Sequence, residues 1–240
     1  MTTLMIDSGP AAAPDAPVTR VGGVPLAPAG TAWPHCSACG GPMQFLVQIL
    51  LDDVGGAARP DGAAPGPVLA VFACQNDPGG CADWDPASGG NRALLFPAEG
   101  LEPIPLPRTD DPAEESDEES DEDDDAYDDA YDDEENVLLL EGTRAVARAR
   151  EEESDYRRAR EAWAARSGRP ASEVIGQLGG APAWIQWDDT PSCRACSRPM
   201  PLVAQLQEGI DPGPVMNFGS GRAYAFACEP CAEAAFLWQC

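Results

Sequence analysis

Apolar and alternating segments along the chain predict a mainly β protein. Three strand candidates in the first half cover residues 44–51, 68–73 and 92–96, each bounded by Gly, Pro or Asp. Four more lie near the end of the chain, at residues 184–187, 202–207, 222–227 and 236–239. The two groups of strands predict an α+β fold in which strands dominate and short turns connect them.

One segment, residues 143–167, predicts a helix that Gly168 and Pro170 end. A thin apolar stripe runs along it, and Glu153, Arg157 and Glu161 stand one turn apart. The stripe consists of Val146, Tyr156, Ala159, Ala162 and Trp163. We expect this helix to lie across a repeat as a structural connector.

The chain is internally duplicated. Residues 22–48 align with residues 179–205 without a gap, at ten identities in 27 positions. The identical pairs include Cys36/Cys193 and Cys39/Cys196, and each copy carries a second cysteine pair after an apolar run. Trp84 and Trp238 stand ten residues after Cys74 and Cys228. A period of this kind indicates two copies of one structural unit.

The duplication and the charge distribution divide the chain. We predict a disordered N-terminus (1–17), a first metal-binding repeat (18–107), an acidic disordered linker (108–136), a connector with a helix (137–170) and a second metal-binding repeat (171–240). Residues 110–135, called the acidic run below, hold 18 acidic residues and no basic one. Such a segment cannot bury enough apolar surface to fold.

The net charge of −26 comes from 41 acidic and 15 basic residues. Outside the acidic run the balance is 23 to 15, so a uniformly acidic surface is not indicated. Nothing in the chain can neutralise a run of phosphates, which argues against nucleic-acid binding. Residues 1–17 lack the features of a signal peptide, and no segment is long and apolar enough for a bilayer. We therefore predict a cytoplasmic protein with reduced thiols.

Eight cysteines form two candidate metal sites. Cys193, Cys196, Cys228 and Cys231 are two C-x-x-C pairs separated by 31 residues, as in zinc ribbons. The corresponding set in the first repeat is Cys36, Cys39, Cys74 and Cys81, with a longer second spacing. Thiolates are soft donors that suit Zn²⁺, which predicts two structural zinc ions per chain. Buried reduced cysteines, disulfides and an iron–sulfur cluster are the alternatives.

The remaining residues offer little catalytic chemistry. His35 is the single histidine, which excludes most Ser/His and Cys/His nucleophile arrangements. The ninth cysteine, Cys240, is expected to pack as a small hydrophobe beside Trp238, with a reactive thiol as the alternative. We predict no catalytic residues and no enzyme activity, with an enzyme of unrecognised site kept as an alternative.

Several motifs resemble the YwqG-like family of bacterial proteins of unknown function. They are Arg20-Val-Gly-Gly-Val-Pro25, Trp33-Pro34, the segment from Gly41 to Ile49, Leu178-Gly-Gly-Ala-Pro-Ala-Trp-Ile-Gln186, the segment from Met216 to Phe226, and Phe236-Leu-Trp-Gln-Cys240. The Leu-Gly-Gly-x-Pro-x-Trp opening and paired cysteines are also distantly similar to the programmed cell death protein 2 group. Members of that group are dedicated chaperones of a ribosomal protein. This chain carries the acidic run where some of them carry a third zinc finger.

The sequence thus predicts a zinc-stabilised, protein-binding module that holds a basic partner in a chaperone-like way. The acidic run supports this interpretation, because concentrated negative charge speeds encounter with cationic surfaces. Parts of Trp33, Trp184 or Trp187 are candidates for specific contacts, although each can equally belong to the core. An immunity or antitoxin-type protein that blocks a basic toxin is the alternative, and the acidic run is equally consistent with a spacer.

Overall fold

The computed structural model describes residues 1–7, 11–54, 66–77, 79–107, 138–140, 142–208 and 216–240. The predicted acidic linker at 108–136 lies outside the described residues. Strands dominate the described chain, as predicted. They are β1 (Thr2–Ile6), β2 (Arg20–Gly22), β3 (Leu26–Pro28), β4 (Gln44–Leu50), β5 (Val68–Ala73), β6 (Asn91–Phe96), β7 (Leu101–Pro103), β8 (Thr143–Ala145), β9 (Ala147–Glu151), β10 (Val174–Leu178), β11 (Leu202–Gln207), β12 (Arg222–Cys228) and β13 (Glu233–Gln239).

The strands form two main antiparallel sheets. The first has the order β6-β5-β4-β2-β8, and the second has the order β13-β12-β11-β10-β1-β9. A separate pair, β3 and β7, lies beside them. Six strand predictions are confirmed, including 68–73 and 202–207 at their predicted bounds. The other four are β4, β6, β12 and β13, whose ends differ by one to three residues.

The seventh predicted strand, residues 184–187, is wrong. This segment is a loop, and the N–H groups of Ile185 and Gln186 donate to the Gln239 side chain at 3.3 and 3.1 Å. One of the strands that the sequence analysis missed is β10, which is buried throughout its length. Gly176 lies at its centre, where an added Cβ would come within 2.0 Å of the Gln205 carbonyl oxygen. The close backbone approach explains a glycine inside this strand.

Hydrogen bonds repeat between the two halves at the offset of the sequence alignment, which is 157 residues. The Gln48 side-chain oxygen accepts from the Leu26 N–H, and the Gln205 side-chain oxygen accepts from the Ala183 N–H. Both β4 and β11 are interrupted by a bulge at equivalent positions, Phe45/Val47 and Leu202/Ala204. Equivalent hydrogen bonds to a buried glutamine oxygen and equivalent bulges show that the repeat extends from sequence to structure.

The two sheets exchange strands along the chain. β1, from the very start of the sequence, lies between β10 and β9 in the second sheet. β8, from beyond the acidic run, completes the first sheet by pairing with β2. The prediction of a disordered N-terminus over residues 1–17 is therefore wrong for Thr2–Ile6, because both edges of this strand are hydrogen-bonded and four of its five residues are buried.

The predicted helix at 143–167 begins later than expected. Residues 143–151 form β8 and β9, and the helix α1 spans Tyr156–Ser167. The Asp155 side chain accepts from the Arg158 N–H at 2.9 Å, and Gly168 ends the helix at φ 70°. Among the described residues, no helix combines the length and apolar character that a membrane crossing requires.

The helix α1 packs against the second sheet. Tyr156, Ala159 and Trp163 are buried against Leu4 and Ile6 of β1. A larger hydrophobic cluster draws on both repeats, with Val47 and Ile49 from the first and Leu206 and Phe236 from the second. The two repeats therefore share one core and form one continuous unit.

Removing the Leu4 side chain tests the importance of the exchanged strand. Leu4 is fully buried, so Leu4→Ala should lower the free energy of unfolding by about 2–5 kcal/mol. Leu106→Ala is the matched control, because Leu106 is 49% exposed, and it should change stability by less than about 0.5 kcal/mol. Urea unfolding of both variants measures the difference. Equal stabilities would contradict the central position of β1.

Candidate metal centres

The first cysteine group joins a turn to the end of a strand. Cys36 and Cys39 stand in a tight turn, in which the Cys36 N–H donates to the Gly41 carbonyl at 2.8 Å. Cys74 directly follows β5, and Cys81 lies in the next loop, where its N–H donates to the Asp77 carbonyl at 3.2 Å. All four sulfur atoms lie within 4.8 Å of one another. The longer spacing between Cys74 and Cys81 does not prevent them from converging.

The second group repeats this arrangement. Cys193 and Cys196 occupy an equivalent turn, closed by the Cys193 N–H donating to the Arg198 carbonyl at 2.8 Å. Cys228 ends β12, and Cys231 ends the 3₁₀ turn Glu229–Cys231. These four sulfurs also lie within 4.8 Å of one another. The turns match in detail, since Gly40 and its equivalent Ser197 both have positive φ, 73° and 59°.

The sulfur spacings fit a tetrahedral metal ion. Sulfurs at the usual zinc–thiolate bond length, arranged at tetrahedral angles, lie about 3.8 Å apart. The Cys39 and Cys74 sulfurs are 3.7 Å apart, and the Cys196 and Cys228 sulfurs are 3.9 Å apart. Both groups can therefore bind a metal ion. The predicted disulfide alternative does not describe this structure, in which all nine cysteines are free.

In each group a side-chain donor lies within hydrogen-bonding distance of the second cysteine's sulfur. In the first group the Asn76 side-chain nitrogen lies 3.4 Å from the Cys39 sulfur and 3.3 Å from the Cys74 sulfur. In the second, the Arg198 Nε lies 3.5 Å from the Cys196 sulfur. The two donors come from different elements in the two repeats. Each donor offsets part of the negative charge that four thiolates bring to one ion.

These donors also change the acidity of the thiols. Burial raises the pKa of Cys39, but hydrogen bonds from the Gly41 backbone and the Asn76 side chain outweigh it and lower the pKa to about 7. The Arg198 side chain and backbone lower the pKa of Cys196 to about 6. Burial raises the pKa values of Cys74 and Cys228. Four thiolates this close repel one another, so full ionisation of either group requires a bound cation.

The other candidate residues lie outside these groups. Nδ1 of His35 is 2.9 Å from the Trp33 carbonyl oxygen, and the described metal-ligand groups consist of cysteine alone. Cys240 is exposed, so the prediction that it packs as a small hydrophobe is wrong. The tryptophan candidates separate as follows: Trp33 is buried, Trp184 packs on Tyr224 with ring centroids 4.4 Å apart, and Trp187 is 66% exposed.

A contact between the repeats escaped the sequence analysis. Trp84 and Trp238, which occupy the same position relative to the cysteines, are not structural equivalents and instead contact each other, with ring centroids 6.2 Å apart. The buried Asp83 carboxylate accepts from the Trp238 indole N–H at 3.1 Å. Burial raises the pKa of Asp83, although the Trp238 hydrogen bond opposes the rise. No local pattern identifies this pairing, since it joins residues 155 positions apart.

Geometry and chemistry thus define a β-rich protein with two four-cysteine groups that can bind metal. Residues 19–232 match the family model described as "Domain of unknown function (DUF1963)", and the chain belongs to this family. The chain is also similar to the uncharacterised protein YpfL of Salmonella typhimurium, at 39% identity over 67 residues. That match covers 28% of this chain and 15% of YpfL, so the chain spans well under a fifth of this relative's length.

Alkylation should separate the nine cysteines by their environment. With metal bound, iodoacetamide at neutral pH should modify Cys240 first, because its thiol is exposed and belongs to neither group. Chelation should then make Cys196 and Cys39 reactive, since they are the sulfurs with lowered pKa values. Peptide mass spectrometry before and after chelation measures this order. A pattern that chelation leaves unchanged would show that the groups hold no removable ion.

Proposed function

We propose that the protein is a zinc-stabilised binding module for a basic protein partner. The observation that carries the zinc assignment is the pair of four-sulfur groups, each with all its sulfurs within 4.8 Å. Thiolate donors in a tetrahedral set favour Zn²⁺ over hard cations such as Mg²⁺ or Ca²⁺. Iron bound to four thiolates is the competing assignment, and metal analysis distinguishes the two.

The zinc ions in this proposal are structural. Four thiolates fill a tetrahedral ion and leave no open position for a substrate, whereas catalytic zinc keeps one. Each group ties a turn to the end of a strand and borders a small buried cluster. Cys36, Cys74 and Cys81 belong to one such cluster, and Cys193 and Cys228 to another. The metal thus stabilises parts of the sheets that small clusters alone hold weakly.

The acidic run supports a basic partner. It concentrates 18 negative charges within 26 residues, which would attract a cationic surface and raise the association rate. A holding role follows only from the distant resemblance to the programmed cell death protein 2 group, and it remains a prediction. An immunity-type role uses the same chemistry and differs in the identity of the partner, which a pull-down from the native cell would reveal.

Metal analysis of the purified protein tests the zinc assignment. We expect two zinc ions per chain, and Cys36→Ser and Cys193→Ser should each remove one without removing the other. Cys240→Ser is the matched control and should retain both ions, because Cys240 belongs to neither group. The two ligand variants should also be less stable, since metal binding contributes to folding. Retention of both ions by both ligand variants would refute the assigned ligands.

The role of the acidic run is tested by removing its charge at constant length. Replacing its 18 acidic residues with serine should slow association with a basic partner by about tenfold or more at low salt. Raising the salt above about 0.1 M should reduce the difference between the two proteins, because the Debye length falls below about 10 Å. Stopped-flow binding to a partner recovered by pull-down measures both rates. The zinc content of the serine variant should equal that of the parent protein, which controls for folding. An association rate that depends on neither charge nor salt would show that the run is only a spacer.

A further inference from the structure

A pocket of about 520 Å³ lies where the two repeats meet, and its lining includes Gly79 from the loop between Cys74 and Cys81. Trp84 and Asp85 from the first repeat line one side, and Trp187, Asp189 and Trp238 from the second line the other. Trp84 follows Cys81 by three residues, and its carbonyl accepts from the Trp238 N–H at 3.3 Å. The pocket is therefore built by both repeats and held by their contact.

Three tryptophan side chains form aromatic walls of this pocket. Trp84 is 44% exposed and Trp187 is 66% exposed, whereas Trp33 and Trp163 are buried. The Trp84 and Trp238 rings meet at 80°, so that they form two walls of a corner. Asp83 holds the Trp238 ring in place from beneath through its indole N–H. Exposed aromatic surface of this kind marks an interaction site more often than a packing defect.

The charge of the lining selects the ligand. Asp85 and Asp189 are acidic, and none of the described residues that line the pocket is basic. A cation beside tryptophan faces gains from the ring quadrupole, and a carboxylate nearby adds a charge-assisted hydrogen bond. Arginine uses both interactions best, because its planar guanidinium stacks on rings and binds carboxylates through two N–H groups.

We propose that this pocket binds an arginine side chain of a basic protein partner. The inference rests on the proposed function for the source of the arginine, and it assigns to the pocket the specific contact that the acidic run cannot supply. The run attracts any cationic surface, whereas a corner of tryptophan rings with two carboxylates requires a cation of defined shape. The pocket governs dissociation, and the run governs association.

A peptide titration of the full-length, zinc-loaded protein tests the pocket directly. The probe is acetyl-Gly-Arg-Gly-Arg-Gly-amide at 0.3 M NaCl, and its control contains citrulline, a neutral isostere, in place of arginine. The readout is the indole N–H signals of ¹⁵N-labelled protein. The acidic run contains no tryptophan, so peptide bound to the run does not contribute. We expect the signals of Trp84, Trp187 and Trp238 to shift with the arginine peptide alone.

Two substitutions separate the aromatic and ionic contributions. Trp187→Ala should weaken peptide binding roughly 2- to 30-fold, and Trp187→Phe should restore part of the affinity because it keeps an aromatic face. Asp189→Asn should also weaken binding, whereas Leu106→Ala removes an exposed apolar side chain outside the pocket and should have no effect. Equal shifts with the citrulline peptide, or unchanged affinity in Trp187→Ala, would overturn the assignment.

The same variants distinguish failure of the pocket from failure of the proposed function. If a native basic partner binds Trp187→Ala as tightly as the parent protein but loses affinity when the acidic run is neutralised, the partner proposal stands and the pocket is overturned. If the arginine peptide binds the pocket and no basic protein is recovered from the cell, the pocket assignment stands and the partner proposal fails.

Discussion

The exchange of strands between the two sheets, by segments that lie outside both repeats, is the constraint on which the fold depends. β1 pairs with β10 on one side and β9 on the other, so the first residues of the chain fill the interior of the second sheet. β8 directly precedes β9 along the chain, and it completes the first sheet by pairing with β2. A single stretch, residues 143–151, therefore borders both sheets. The repeats cannot separate without breaking backbone pairing, and this explains why they share a hydrophobic core.

The two cysteine groups add a second constraint, at the ends of the strands that lead into them. In each repeat the second cysteine pair begins where a central buried strand ends, at Cys74 after β5 and at Cys228 in β12. Ionised thiols this close together repel, and protonated thiols bind metal poorly. In the proposed metal-bound protein a cation completes each cysteine group, and its binding is coupled to formation of the strand ends. Asp83, two residues beyond Cys81, connects this event to Trp238 and to the other repeat.

The sequence predicts features that depend on local patterns. Residues 68–73 and 202–207 are apolar runs bounded by turn formers, and their strands were placed at the correct bounds. The cysteine groups were recognised because spacing and repetition carry their signal. β1 was missed because an Ala- and Pro-rich segment follows it and its partners lie more than 140 residues away. Residues 143–151 were assigned to the helix because their alternating Arg and Ala residues favour a helix as readily as a strand, and only pairing with β1 and β2 decides.

Comparison of the two repeats shows which residues the shared fold requires and which residues it does not require. The side-chain oxygens of Gln48 and Gln205 accept equivalent hydrogen bonds, which the shared fold explains. Trp187 corresponds to Gly30 at the 157-residue offset, and strand pairing places Trp238 in β13 where β6 has Leu95. The first repeat thus forms the same sheet without either tryptophan. Trp187 also buries little surface, so packing contributes little reason for a large aromatic side chain there. The proposed recognition of a cation accounts for both residues, which line one pocket together with Trp84 and acidic side chains.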